Sequence, residues 1–134
     1  MSQPSNKLDN FAKALKRLNE ANTAYKKHTD DDIFQDALIK RFEFTFELGW
    51  KTLREFLSAQ GYKLDILSPK GVFAFAYQEG ILTEETLWLD MLESRNLTSH
   101  DYGRELSENI ADKISTRYAK ALQNLYKFLS EHMN

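Results

Sequence analysis

Residues 39–57 read IKRFEFTFELGWKTLREFL, and the aromatic side chains in this stretch decide the fold. They are Phe42, Phe44, Phe46 and Trp50. In an α-helix each step of two residues turns the chain by about 200°, so these rings point in different directions. A helix that is apolar nearly all round is buried on more than one side. We therefore expect this helix either to occupy the centre of a bundle or to contact a second subunit.

The rest of the chain shows the 3.6-residue apolar period of helices, and no run of alternating residues indicates a strand. Two prolines and five glycines interrupt it. The predicted helices cover about 6–27, 33–59 and 70–78, a fourth helix capped by Thr83, and about 104–131. The sequence predicts an all-α, up-and-down helical bundle of four long helices plus one short helix, in a single domain over residues 1–134.

Short polar side chains mark where two of these helices begin. Asp30, Asp31 and Asp32 precede the second helix, where carboxylates cap free amides and favour the positive end of the helix dipole. A metal pair formed by Asp30 and Asp32 is the alternative, although the sequence offers no third ligand beside them. Ser68 followed by Pro69 has the pattern of an N-cap and a first helical residue.

The apolar stripe of the first helix has one polar position. Its members are Leu8, Phe11, Leu15, Leu18 and Tyr25, and Asn22 occupies the remaining seam position. A lone asparagine in a helix seam can set the register of packing. We expect Asn22 instead to be a half-exposed polar residue.

Composition and charge exclude several classes of protein. The chain has 134 residues, a formal net charge of −2 and no cysteine, so disulfides, thiolate zinc sites and cysteine nucleophiles are excluded. Proteins that coat nucleic acid carry a broad basic face, and this chain has no excess of basic residues. Any RNA must therefore be bound locally, in a cleft or with a partner. No apolar run approaches the ~20 residues of a membrane span and no secretory leader is evident, which predicts a cytoplasmic location.

The stretch ESRNLTSHDY, residues 93–102, carries the candidate chemistry. In an unbroken helix Arg95 and His100 lie about 140° apart, whereas Asn96 and His100 share a face. Arg95 and His100 therefore converge only if the helix breaks between them, or if two subunits bring their copies together. Asn96, Thr98 and Ser99 are poor helix-interior residues, so a break is expected.

These side chains have a structural interpretation and a chemical one. Arginine and histidine near the end of a helix complement its negative pole. Alternatively, a histidine side chain, with an ordinary pKa of about 6.5, moves protons near neutral pH, and an arginine stabilises the charge that develops on a reacting phosphate. Asn96 would hold that phosphate or orient His100. Tyr102 would offer a stacking surface or a nucleophilic hydroxyl.

Arg95 and Asn96, three residues, His100, one residue and Tyr102 together resemble the Arg-x4–6-His motif of HEPN domains, in the Arg-x4-His-x-Tyr form of HepT-like toxins. The resemblance covers roughly residues 8–129. Its other landmarks are RFEFTFELGWKTL, SPKGVFAFAYQEGIL and LWLDMLESRN, in the order found in the nucleotidyltransferase substrate-binding protein family, a branch of the HEPN group.

That resemblance implies a homodimer in which two Arg/His motifs face a shared groove, with Arg95 and His100 as catalytic residues of a metal-independent ribonuclease that needs no cofactor. It also implies a small nucleotidyltransferase antitoxin that silences the toxin by transferring AMP onto Tyr102. The alternative within the family is a non-catalytic subunit that binds a nucleotide or RNA for the nucleotidyltransferase. A purely structural dimer is the third interpretation.

The chain departs from the family pattern at a few positions. Asp101 places a carboxylate between His100 and Tyr102, which weakens phosphate binding unless it is paired or orients the histidine. Lys70 stands where arginine is more usual in the family, and Phe73 and Phe75 make the third helix more apolar than expected. The chain lacks the Gly-Ser and Asp-x-Asp pattern of a nucleotidyltransferase, so it should not transfer nucleotides by itself.

Overall fold

The computed structural model describes residues 6–62, 68–100 and 103–133, and every regular element in these ranges is a helix. The elements are α1 (Asn6–Lys27), α2 (Asp32–Ala59), α3 (Pro69–Gln78), α4 (Glu85–Leu97), α5 (Arg104–Lys113), a π-helical turn (Ile114–Tyr118) and α6 (Ala119–His132). The predicted all-α bundle is confirmed. Over the ranges described, no helix is long and apolar enough to cross a membrane.

The starts of α2 and α3 follow the predicted capping pattern. The Asp31 carboxylate accepts a hydrogen bond from the backbone N–H of Ile33 at 2.9 Å, and Ser68 Oγ accepts one from the N–H of Gly71 at 3.3 Å. Each bond satisfies an amide that has no partner inside its helix. The three aspartates before α2 therefore include a helix cap.

The predicted Thr83 cap of α4 is wrong, because the N-cap residue is Glu84 and α4 begins at Glu85. Gly80, with a φ of 77°, reverses the chain after α3. The backbone N–H groups of the next two residues then bond to the carbonyl of Ala76, at 2.9 and 3.3 Å. These bonds hold the chain against the end of α3, and Thr83 remains in the connection before α4.

Helix α2 lies at the centre of the bundle and contacts partners on more than one side, as its aromatic pattern predicts. Phe42 and Phe46 are fully buried, whereas Phe44 is 61% exposed. The ring of Phe42 stacks on Tyr118 at 5.4 Å, and the ring of Phe46 meets Phe73 edge-on at 5.8 Å. Phe44 is thus an apolar side chain of α2 that the chain itself does not cover.

Gly49 lets α1, α2 and α6 approach closely. A Cβ atom added at Gly49 would lie 3.2 Å from Phe11 Cζ and 3.3 Å from Leu122 Cδ2. Those separations are tighter than ordinary van der Waals contact, so a larger residue would displace Phe11 and Leu122. The glycine therefore has a packing role rather than a turn-forming one.

Asn22 is buried, with 9% of its surface exposed, so the expectation of a half-exposed residue is wrong. The physical reason is its position, because Asn22 continues the stripe formed by Leu15, Leu18 and Tyr25, all of which the bundle buries. Its side-chain oxygen has no hydrogen-bond partner among the described residues.

The predicted fifth helix is interrupted by the π-helical turn, where the N–H of Ala119 bonds to the carbonyl of Ile114. This turn inserts Tyr118 into the core, where its hydroxyl donates to Asp90 Oδ2 at 2.7 Å and is 2.8 Å from Ser94 Oγ. Burial and the neighbouring Asp90 carboxylate raise the pKa of Tyr118 well above its ordinary value, so the phenol stays protonated and donates. The turn therefore fixes α4 at Ser94, next to Arg95.

Asp90 is the centre of this network on α4. Burial acts to raise its pKa, but the hydrogen bond from Tyr118 and the cations Lys113 and Arg117 outweigh burial and hold the pKa below its ordinary value. The two cations lie 3.5 and 3.2 Å from the carboxylate oxygens. Asp90 thus ties α4 to both α5 and the π-helical turn as a carboxylate.

Candidate active site at the end of helix α4

Helix α4 ends at Leu97, between Arg95 and His100, as the residue types predicted. The N–H of Ser99 bonds to the carbonyl of Asn96, and the N–H of His100 bonds to the carbonyl of Leu97, both at 3.3 Å. These three-residue bonds tighten the last turn. The Ser99 hydroxyl donates to the same Asn96 carbonyl at 2.7 Å, so the polar side chain helps to end the helix.

Arg95 faces helix α2 and two of its carboxylates. Its Nη1 lies 3.7 Å from Glu43 Oε2, and its Nε lies 3.5 Å from Glu47 Oε1. The side chain is 24% exposed. Its Nε is buried and makes no hydrogen bond within the described ranges, so the guanidinium is held against the two carboxylates by charge.

Three other side chains hold the same two carboxylates in place. Thr98 Oγ1 donates to Glu43 Oε2 at 2.6 Å. Trp50 Nε1 donates to Glu47 Oε2 at 3.2 Å, and Lys51 Nζ is 3.8 Å from that oxygen. Arg95 is therefore positioned by a polar network that crosses from α4 to α2.

Sequence reasoning misses Glu43 and Glu47 as partners of Arg95. Considered alone, the two glutamates are a like-charged pair one helical turn apart, which is mildly destabilising. Their signal was that they are acidic residues interleaved with the aromatic residues of α2. A carboxylate that is partly covered needs a cation nearby. The cation that pairs with the two glutamates is determined by how α2 and α4 pack together.

His100 is exposed and lines a shallow groove of about 410 Å³ between the start of α3 and the end of α4. Asn96 lines the same groove, although His100 lies beyond the end of α4 and the two residues do not share a helical face. The described residues that line the groove are Lys70, Leu89, Leu92, Glu93, Asn96, Leu97 and His100. Asp101 and Tyr102, the other predicted site residues, lie outside the described residues.

Arg95 does not line the groove that contains His100. The helix ends between the two residues, yet Arg95 remains against Glu43 and Glu47 while His100 lies in the groove. The end of the helix between Arg95 and His100 therefore does not bring the two side chains together within one chain. A site that uses both residues requires a neighbouring copy or a rearrangement of Arg95.

A larger groove, of about 810 Å³, lies between α4 and the π-helical turn and contains none of the described motif residues. Two of its cations, Lys113 and Arg117, already pair with Asp90. Within the part of the chain that the structure describes, no group of three histidine, cysteine or acidic residues is placed to hold a metal ion. The chemical candidates therefore remain at the end of α4.

Residues 6–131 match the model of a protein family described as "Nucleotidyltransferase substrate binding protein like". A crystal structure of a Thermus thermophilus protein is similar, with 35% sequence identity and a TM-score of 0.76, and the match covers 89% of this chain and 98% of that one. A curated relative, the probable ribonuclease HepT of Haemophilus influenzae, is 30% identical over 80 residues. The chain spans about half the length of that relative, 55%.

Two toxin–antitoxin structures share the fold at lower sequence identity. One is the MntA-HpeT toxin-antitoxin, with 18% identity and a TM-score of 0.75, and the match covers 94% of this chain and 95% of that one. The other is a tri-AMPylated Shewanella oneidensis HEPN toxin in complex with the MNT antitoxin, with 17% identity, a TM-score of 0.75 and the same coverage. At these identities the likeness shows a common fold.

Proposed function

Because the chain belongs to the nucleotidyltransferase substrate binding protein-like family, we propose that it is a HepT-like toxin that cleaves RNA and is silenced by a small nucleotidyltransferase. The observation that carries the proposal is the end of α4, which leaves His100 exposed in an open groove beside Asn96. The name of the Haemophilus relative and the antitoxin complexes of the two toxin structures support the same function.

The proposed reaction is proton-transfer chemistry at an RNA phosphate. The ribose 2′-hydroxyl loses a proton as its oxygen bonds to phosphorus, and the departing 5′-oxygen gains a proton as its bond to phosphorus breaks. His100 is the group that exchanges these protons, and Arg95 stabilises the negative charge on the phosphate oxygens. Asn96 holds the phosphate or orients His100. The products are a 2′,3′-cyclic phosphate and a 5′-hydroxyl end.

The proposal places Arg95 of one subunit opposite the His100 groove of another in a twofold homodimer. Arg95 does not line the groove of its own chain, and its side chain is 24% exposed. Phe44, between the two glutamates that hold Arg95, is 61% exposed, and Leu97 in the groove is 39% exposed. A subunit contact at these two apolar side chains would remove them from water.

The proposed partner is a nucleotidyltransferase antitoxin that transfers AMP onto Tyr102 in the cytoplasm. Tyr102 follows His100 by two residues, so AMP on its hydroxyl adds bulk and negative charge beside the phosphate site. Asp101 adds a further carboxylate there, either repelling the phosphate or orienting His100. A blocked groove and a repelled phosphate would both silence cleavage.

Incubation with the cognate nucleotidyltransferase and ATP is expected to raise the mass of the Tyr102 peptide by one or more AMP units and to stop RNA cleavage. Tyr102→Phe should remain active and unmodified, because it lacks the accepting hydroxyl. Tyr77→Phe is the matched control, since Tyr77 is 46% exposed and lies outside the motif. Intact and peptide mass spectrometry measure the change. Modification that persists in Tyr102→Phe would contradict the assignment.

The second candidate is a non-catalytic subunit that binds a nucleotide or RNA for the nucleotidyltransferase. The observation that favours it is the pairing of Arg95 with both Glu43 and Glu47, which offsets the charge that cleavage requires. A binding subunit would hold RNA without shortening it. Intact RNA after incubation with the unmodified wild-type protein would favour this candidate.

A further inference from the structure

The groove that contains His100 is built from two helices, and its cation comes from α3. Lys70 lies in the first turn of α3 and lines the groove together with Asn96 and His100. The groove volume, about 410 Å³, is within the range of small-ligand sites, about 300–1,000 Å³. Among the residues that the structure describes, the cation that shares a groove with His100 in one chain is therefore Lys70, whereas Arg95 lies against α2.

The surroundings of Lys70 favour an external anion. Among the described residues no carboxylate forms an ion pair with Lys70. Lys70 is the second residue of α3, where the positive end of the helix dipole is unfavourable for a cation. Within the described ranges its charge is thus not offset by a carboxylate. An anion in the groove would interact favourably with the ammonium group.

We propose that Lys70 binds a phosphate of the RNA strand in the groove beside His100. The inference rests on the proposed ribonuclease function and deepens it, because it assigns a substrate-binding residue outside the Arg/His motif. Lys70 holds the strand within the same chain as His100, while Arg95 from the neighbouring copy acts on the reacting phosphate. The site is thus completed by α3, a helix that the motif does not include.

Glu93 lines the same groove and opposes this binding. It lies on α4, one turn before Asn96 and Leu97, and is exposed. A carboxylate there repels a phosphate, so the groove holds one charge of each sign in its described lining. Removing the charge of Lys70 and removing the charge of Glu93 are therefore expected to change RNA affinity in opposite directions.

Binding of a labelled pool of fragmented cellular RNA tests the proposal, with the whole protein purified without its partner so that Tyr102 is unmodified. A His100→Ala background keeps the RNA intact during the measurement. Lys70→Ala is expected to weaken binding about tenfold, the usual value of one hydrogen bond to a charged group. It should also lower the slope of log affinity against log salt by about 0.7, the value for one phosphate on a single strand.

Three variants complete the experiment. Lys70→Arg should restore binding, because it keeps the charge. Glu93→Gln should tighten binding, because it removes the repulsion. Lys127→Ala, at an exposed lysine of α6 that does not line the groove, should bind like its parent. Circular dichroism checks that each variant is folded.

The outcomes separate this inference from the function on which it rests. If the parent protein binds RNA and Lys70→Ala changes affinity and salt slope no more than Lys127→Ala does, the role of Lys70 is overturned and the ribonuclease proposal stands. If the parent protein does not bind RNA and the wild type does not cleave it, both are overturned. A tenfold loss with Lys70→Ala that Lys70→Arg restores supports the proposal.

Discussion

Replacing His100 with alanine is expected to lower the rate of RNA cleavage by about 10²–10⁴-fold, the usual contribution of a general acid or base. Alanine cannot take a proton from the 2′-hydroxyl or return one to the 5′-oxygen. The fold should be unaffected, because His100 is exposed and follows the end of α4. The measurement is the initial rate of cleavage of cellular RNA by purified protein, with the product ends identified as 2′,3′-cyclic phosphate and 5′-hydroxyl.

His28→Ala is the matched control for this experiment. His28 is also exposed, but it lies beyond α1 and stacks on Phe34 at 4.4 Å, far along the chain from the end of α4. The His28→Ala variant should cleave RNA at the wild-type rate and, when expressed, should arrest growth as the wild type does. Equal rates of cleavage by wild type, His28→Ala and His100→Ala would show that His100 takes no part in the reaction.

Replacing Phe46 with alanine is expected to lower the free energy of unfolding by about 3–5 kcal/mol, the usual cost of deleting a buried phenylalanine. Phe46 is fully buried on α2, and its ring lies 5.8 Å from the rings of both Phe42 and Phe73. Alanine would leave a cavity between α2 and α3. Since small domains have about 5–15 kcal/mol of stability in total, the variant should be marginally folded.

Phe44→Ala is the control, because it makes the same change two residues earlier on the same helix. Phe44 is 61% exposed, so its truncation should alter the free energy of unfolding of the single chain by no more than about 0.5 kcal/mol. Urea unfolding followed by circular dichroism measures both variants, at low protein concentration so that subunit contacts contribute little. Similar losses for the two variants would contradict the described orientation of α2.

The sequence was sufficient to predict the all-helical fold and the caps of two helices, because those features depend on local rules. The ends of α1, the cap at Asp31 and the Ser68-Pro69 start of α3 follow from apolar period and capping chemistry. The aromatic residues of α2 also predicted burial on more than one side. Phe42, Phe44 and Phe46 follow one another at a spacing of two residues, so no single face of the helix can hold all three.

The π-helical turn was not predictable from local rules. Its residues, Ile114–Tyr118, have the same period as the helices on either side. The wider turn ends at Tyr118, whose hydroxyl lies between Ser94 and Asp90 of α4, and those contacts join residues 24 and 28 positions apart. Burial of Asn22 likewise depends on which face of α1 its neighbours cover.

The candidate site was predictable in part for the same reason. Asn96, Thr98 and Ser99 indicate the end of α4 by their own helix preferences. The attachment of Arg95 to Glu43 and Glu47 depends on the packing of α4 against α2, and the presence of Lys70 in the groove depends on the packing of α3 against α4. Local sequence contains neither contact, so the separation of Arg95 from His100 emerges only from the structure.

If Arg95 of one subunit acts with His100 of another, mixing two inactive variants restores a complete site. Arg95→Ala and His100→Ala are each expected to lose about 10²-fold or more in cleavage rate. If equal amounts exchange subunits, half of the dimers contain one of each variant, and one of their two sites has both residues. Cleavage should then recover to about a quarter of the wild-type rate, as expected for a twofold dimer with shared sites. Native mass spectrometry confirms that mixed dimers form. Mixed dimers that cleave RNA no faster than the separate variants would show that Arg95 and His100 do not act together across subunits.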